Sequence, residues 1–280
     1  MESIGKHFEV SAPLDEIIRH FYCIRTSPDF EKIDKHLLPN LEMMLVFNFG
    51  KSLRLSFADQ PYDGFYVNNV AVIGPLRKML NYEVLPDADL IIAEFNVDGF
   101  YRLFQLPMSE RAGEEIWNPD EILKAGFHEL WDTLKDIPLQ TERLELLKDF
   151  MLAIIQDSDD CLKPLFNGIS YLNNPLIQPV RAMALDSEFS ERTIQNRFKK
   201  YLGYSPKELL RFLRFKQVIA AIQQQERLEV DWYRLIEEFG YHDQSHLIKD
   251  FHHYLGITPK KFVKEIIGKK FCVSKPGKFY

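Results

Sequence analysis

Apolar residues follow two periodicities along the chain, and the change between them divides it. Up to about residue 110 they cluster in short runs bounded by Pro, Asn, Asp or Gly, the pattern of β-strands. Leu41-Glu42-Met43-Met44-Leu45-Val46-Phe47-Asn48-Phe49-Gly50 and Leu90-Ile91-Ile92-Ala93-Glu94-Phe95 are the densest runs, and Val67 to Ile73, closed by Gly74-Pro75, is a third. After Asn118-Pro119-Asp120, a helix start, the spacing becomes helical and predicts two helices. The second carries a stripe of Leu144, Leu147, Met151, Ile154 and Ile155. Such a stripe either packs on the strands or pairs two copies of the chain. Asp157-Ser158-Asp159-Asp160 then reads as a linker.

The rest is helical in pattern and contains a repeat. FKKYLGYSPKELL, from Phe198, returns as FHHYLGITPKKFV, from Phe251, at a constant offset of 53 residues. Upstream, Ile194 maps on Leu247 and Met183 on Ile236. Two copies are too few for a solenoid, which needs about three, so a duplicated helical subdomain is expected.

Each copy shows its local physics. Ser190 and Asp243 are N-caps ahead of helical apolar patterns. Beyond Ser190, Ile194, Phe198, Tyr201 and Leu202 share one face, while Arg192, Gln195, Asn196 and Lys199 share the other. Gly203 supplies a C-cap, and Ser205-Pro206-Lys207-Glu208 opens a new helix with a complete capping box. The second copy has Thr258-Pro259 but Lys261 at the box position, so its cap is less complete. Val180, Met183 and Ala184 mark a helix before Ser190, as do Trp232, Leu235, Ile236 and Phe239 before Asp243. Gly240 supplies the turn in the second. Helix, short turn, helix with a polar outward face is the helix-turn-helix pattern. A long helix from Pro206 to about Gln224 joins the two units.

Composition changes this picture in one respect. The chain has 280 residues, 46% hydrophobic and 27% charged, which suits two domains. Its net charge of −6 hides an asymmetry: residues 1–163 hold 16 Lys+Arg against 29 Asp+Glu, and residues 164–280 hold 19 against 12. A basic module that meets an anionic polymer, joined to an acidic module with another task, accounts for this. Cys23, Cys161 and Cys272 are odd in number and far apart, which argues against a disulfide framework or structural zinc and fits a reducing cytosol. No apolar run spans a membrane and no secretory signal is visible, so a cytoplasmic location is expected.

Phe239-Gly240-Tyr241-His242-Asp243-Gln244-Ser245-His246-Leu247, continuing to Gly256-Ile257-Thr258-Pro259, resembles the second helix-turn-helix unit of the AraC/XylS family of bacterial regulators. Ser190-Glu191-Arg192-Thr193-Ile194 and Arg197-Phe198-Lys199 resemble the first. The resemblance covers about 100 residues, from Ile169 to Ile266. It implies a sequence-specific transcription regulator whose second helix in each unit enters a major groove of double-stranded DNA. Two adjacent major-groove segments, about 34 Å apart, would form the site. Arg192, Gln195 and Asn196, then Gln244, Ser245, His246 and Lys249, are the base-reading candidates, since Arg clasps guanine and Gln or Asn clasps adenine. Lys199 and Arg214 suit phosphates, and Arg197 joins the DNA-binding set. RNA polymerase is a further partner implied by the resemblance. Three departures set the second unit apart: Leu247 for an aromatic, Glu237 for a small residue, and a less basic helix with Ile248 and Asp250. One dominant and one weaker half-site are therefore expected.

The strand-rich part resembles, more loosely, the small cupin-like β-barrel sensor domain found ahead of such units, notably in Gly74-Pro75-Leu76 and Gly99-Phe100-Tyr101-Arg102-Leu103-Phe104. The expected architecture is α+β: a barrel domain with helices over 1–160, an all-α double helix-turn-helix domain over 165–268, and a tail over 269–280. Phe47, Phe65, Tyr66 and Phe95 either line a small-molecule effector pocket or pack in the core. A homodimer is a further possible assembly, and no membrane partner is expected. A cupin-like enzyme is the chief alternative, but His36 stands alone and no nucleophile, base or metal set emerges. His242 and His246 stand four apart without an evident third ligand and read as surface or DNA-face residues, so no metal or cofactor is expected. An interaction module without sequence preference is the remaining alternative, and the polar face of Arg192, Gln195, Asn196 and Lys199 speaks against it.

Overall fold

The computed structural model describes residues 4–40, 42–62, 64–96, 98–111, 115–122, 126–157, 165, 171, 178–224, 230–265 and 271–272. The predicted linker lies largely outside them.

Strands come first. β1 (Gly5–Phe8), β2 (Ile18–Arg25), β3 (Ile33–Leu37), β4 (Met44–Asn48), β5 (Leu53–Phe57), β6 (Phe65–Val67), β7 (Val70–Ile73), β8 (Leu80–Val84) and β9 (Asp89–Phe95) precede α1 (Gly99–Phe104) and β10 (Ile116–Trp117). They form two sheets and not the closed barrel expected. One runs β1-β2-β9-β4-β7-β10, antiparallel throughout. The other runs β11-β3-β8-β5-β6, where β11 (Phe271–Cys272) pairs in parallel with β3. β11 belongs to the segment read as a tail. The stretch Val67 to Ile73, expected as one strand, breaks at Asn68-Asn69, and its halves join different sheets. Asparagine favours such turns, and here the Asn69 side chain accepts from the Val70 amide at 2.8 Å.

β4 is apolar on both faces because both are covered. Met44 and Val46 face the second sheet, joining Leu55, Phe57 and Leu80. Leu45 and Phe47 point the other way, into a core shared with Phe95, Phe100 and Phe127. That core is closed by α2 (Pro119–Ile122), α3 (Phe127–Lys135) and α4 (Gln140–Ile154), three helical segments where two were expected. Leu144, Leu147 and Met151 of α4 are buried in it, so this part of the stripe packs on the strands. Phe47 and Phe95 are core residues, Phe65 packs edge-on against Phe57 at 5.5 Å, and Tyr66 is half exposed. Core packing accounts for the first three.

The C-terminal helices are α5 (Pro179–Ser187), α6 (Glu191–Arg197) running into a π-helical turn (Phe198–Leu202), α7 (Pro206–Gln223), α8 (Trp232–Glu238), α9 (Gln244–Leu255) and α10 (Pro259–Glu265). Met183, Ile194, Phe198, Phe212, Phe215, Leu235, Leu247, Phe251 and Phe262 form one core. Leu38 and Met79 of the strand domain are part of that same core.

Candidate nucleic-acid interface

The duplicated units keep their caps. Ser190 Oγ accepts from the Thr193 amide at 3.1 Å, and Asp243 Oδ1 accepts from the His246 amide at 2.9 Å. The box ahead of α7 is closed: the Glu208 amide donates to Ser205 Oγ at 3.2 Å, and the Ser205 amide donates back to Glu208 Oε2 at 2.6 Å. Gly203 and Gly256 end the second helix of each unit in the left-handed region, at φ +77° and +74°. Gly240 does so between α8 and α9, at φ +65°. A side chain there would be strained, so local sequence fixes where each helix starts and stops.

On the first unit, Arg192, Gln195, Asn196 and Lys199 are exposed together on one side of α6 and its π turn. Arg197 is half-buried, its guanidinium 3.7 Å from the Phe189 ring centre. On the second, Gln244, Ser245, His246 and Lys249 are exposed, and Ile248 is half-buried. Glu237 is exposed and enters no core.

Two residues have roles that sequence reasoning missed. Asp250 is 3% exposed and accepts from Arg211 Nε at 2.7 Å and from Tyr241 Oη at 2.9 Å. Burial first, and this carboxylate second, push the Tyr241 hydroxyl up, so it stays a neutral donor. Asp250 is thus an internal tie from α9 to α7 and not a blemish on the outer face. Arg214 is engaged in the same place, stacked on Tyr241 at 4.5 Å and 4.0 Å from Asp250. The only sequence signal was the contrast of Arg197 with Asp250 at the repeat offset.

The opposite ends of both units meet the strand domain. Arg77 donates to the Gly203 carbonyl, and Met108 packs beside Gly203. The Met79 amide donates to the Tyr254 carbonyl at 2.7 Å, Ala58 and Asp59 abut Gly256, and Lys261 pairs with Asp59 at 3.2 Å. Tyr101 meets Tyr201 edge-on at 4.7 Å. Lys216 of α7 lies near a buried charge group in which Arg19 binds Glu42 and Glu94, and His20 stands 3.1 Å from Glu94. Burial first, then the Glu42 carboxyl, holds Glu94 well above the usual carboxylate range. Burial lowers the Lys216 ammonium.

Residues 183–265 match a family model described as a helix-turn-helix domain, which spans α5 to α10 almost entirely. Residues 6–117 match a domain of unknown function (DUF6597), which coincides with β1 to β10. The fold and these matches define a transcription regulator with a DNA-binding helix-turn-helix domain. That domain is of the AraC type, and it follows an N-terminal DUF6597 domain. No curated protein matches the chain. Among solved structures, ToxT from Vibrio cholerae O395 is similar at 12% identity and a TM-score of 0.40, covering 89% of this chain and 98% of that one. The AraC-like transcriptional activator CuxR is similar at 11% identity and a TM-score of 0.30, covering 77% and 80%. No described helix is long and apolar enough to cross a membrane.

Proposed function

We propose that the chain binds a bipartite, sequence-specific site on double-stranded DNA through α6 and α9, and that its N-terminal domain modulates this binding. One observation carries the reading. Both helices expose a polar face near their N-caps, while their glycine-capped ends are held by the N-terminal domain. Arg192, Gln195 and Asn196 read bases in one major-groove segment, and Gln244, Ser245, His246 and Lys249 read the next. Lys199 holds a phosphate. Arg197, stacked on Phe189, steers the same backbone, and Arg214 serves mainly to pack α7 on α8 and α9.

The division at 1–160, 165–268 and 269–280 belongs to this reading. So do a cytoplasmic location, a small-molecule effector and RNA polymerase as further partners, and pairing of two copies through exposed Leu139, Leu146 and Leu152. Selection from random duplexes at moderate salt tests its centre. Enrichment of two short words one helical turn apart is expected. Recovery of no preferred sequence would sink the reading, since sequence-blind binding is mostly electrostatic and fades with salt.

A further inference from the structure

His242, Asp243 and His246 are all exposed at the head of α9, and their donor atoms lie within 4.8 Å of one another. From this cluster we infer a site for a divalent transition-metal ion on the second recognition helix, with both imidazoles and the Asp243 carboxylate as ligands. The ion withdraws that helix from DNA. This consequence rests on the DNA-binding reading above, whereas the site itself does not.

The geometry supports coordination. His242 Nδ1 stands 3.3 Å from Asp243 Oδ2. A tetrahedral ion with ordinary Zn–N and Zn–O bonds holds its donors about 3.3 Å apart. Asp243 Oδ1 is occupied by the His246 amide, which orients the carboxylate and leaves Oδ2 facing His242. Rotation of exposed side chains closes the remaining distance. The third ligand was invisible in the sequence because Asp243 reads there only as a cap.

The repeat supplies an independent control. At the offset of 53, the first unit has Phe189, Ser190 and Thr193 in these places. It caps its helix with Ser190 and carries no imidazole. Capping therefore accounts for an oxygen-bearing residue at Asp243, but not for histidines on either side of it. Two imidazoles and one carboxylate favour Zn²⁺, Ni²⁺ or Cu²⁺ over Mg²⁺ or Ca²⁺. Three protein ligands on an exposed turn leave a coordination position to water. His246 is also a base-reading candidate, and a ring bound to an ion is no longer placed to reach a base.

Zinc chloride titrated into the full chain, without DNA, tests the site. One saturable equivalent is expected. His242→Ala should weaken it about tenfold or more, and His252→Ala should leave it unchanged. Wild type and His242→Ala taking up zinc alike would overturn the site. DNA titrations in EDTA and in saturating zinc then test the consequence. Wild type should lose about fivefold or more in affinity with zinc, the value of one base contact. His242→Ala, outside the base-reading set, should bind equally in both. Unchanged wild-type affinity at saturating zinc would overturn the withdrawal. Failure to bind DNA even in EDTA would count against the DNA reading alone.

Discussion

Arg197 and Asp250 occupy one position in the two helix-turn-helix units and are put to opposite uses. Arg197 lies half-exposed across Phe189 at the outer side of the first unit. Asp250 is buried and ties the second unit to Arg211 of the connecting helix. The ends of the capping boxes diverge in the same way. Glu208 closes its box onto Ser205, whereas Lys261 leaves its box open and reaches Asp59 of the other domain. The lesson is that duplication preserves the frame of caps, core and glycines while freeing single positions. The second unit has used that freedom for internal anchoring and the first for an exposed basic face. A less basic second helix therefore reflects work done inside the molecule.

Asp250→Ala is expected to be the most damaging single change, costing about 2–3 kcal/mol because the buried Tyr241 hydroxyl loses its acceptor and the part-exposed Arg211 its partner. Arg197→Ala should cost less than about 1 kcal/mol, as an exposed cation–π contact does. Urea denaturation of the full chain compares them, and equal losses would break the contrast. Next comes Gly256→Ala, where the left-handed backbone alone costs about 1–2 kcal/mol. A Cβ there would also stand 2.5 Å from the Asp59 amide nitrogen. Gly203→Ala has the same backbone strain but meets only side-chain atoms, the nearest at 3.0 Å. It should therefore be the milder of the two in thermal unfolding. On DNA, Arg192→Ala should cost about 1–3 kcal/mol at one base position, and Lys199→Ala should weaken all sequences alike. Identical losses on cognate and scrambled duplexes would remove Arg192 from the base-reading set.

The smallest effect is a pH dependence at the first unit's capping box that the second unit's open box lacks. Partial burial works against the Glu208 carboxylate, but the amide and hydroxyl of Ser205 outweigh it and hold the group below the ordinary carboxylate range. A lowered carboxylate stabilises fully above its ordinary value and loses that contribution as pH falls through the folded value. The start of α7 should therefore loosen in acid by about 1 kcal/mol or less. Lys261 offers no such carboxylate at the start of α10. Hydrogen exchange at the Ser205 and Thr258 amides should separate on acidification, and Glu208→Gln should abolish the separation.

What was legible in the sequence was local. Caps at Ser190, Ser205 and Asp243, the long α7 and the glycine stops depend on residues a turn apart, and all appear where the spacing put them. The strand runs were legible too, but not their arrangement. Apolar alternation cannot say which sheet a strand joins, so the switch at Asn68-Asn69 and the two-sheet layout were hidden. Asp250 was misjudged because its partners come from α7 and from the turn before α9, 39 and 9 residues away. The grip of the N-terminal domain on Gly203 and Gly256 likewise depends on Arg77, Met79 and Asp59, which carry no motif.

That grip has a geometric consequence. A twelve-residue helix such as α9 is about 18 Å long. Held at its glycine end, it acts with the helical core around it as a lever whose outer tip bears the exposed polar side chains. A tilt of about 10° at the fulcrum carries that tip about 3 Å, close to the rise of one base pair. Two such levers share one mounting. Under the proposed DNA-binding reading, a small settling of the strand domain against Gly203 and Gly256 would shift both tips together by about the rise of one base pair.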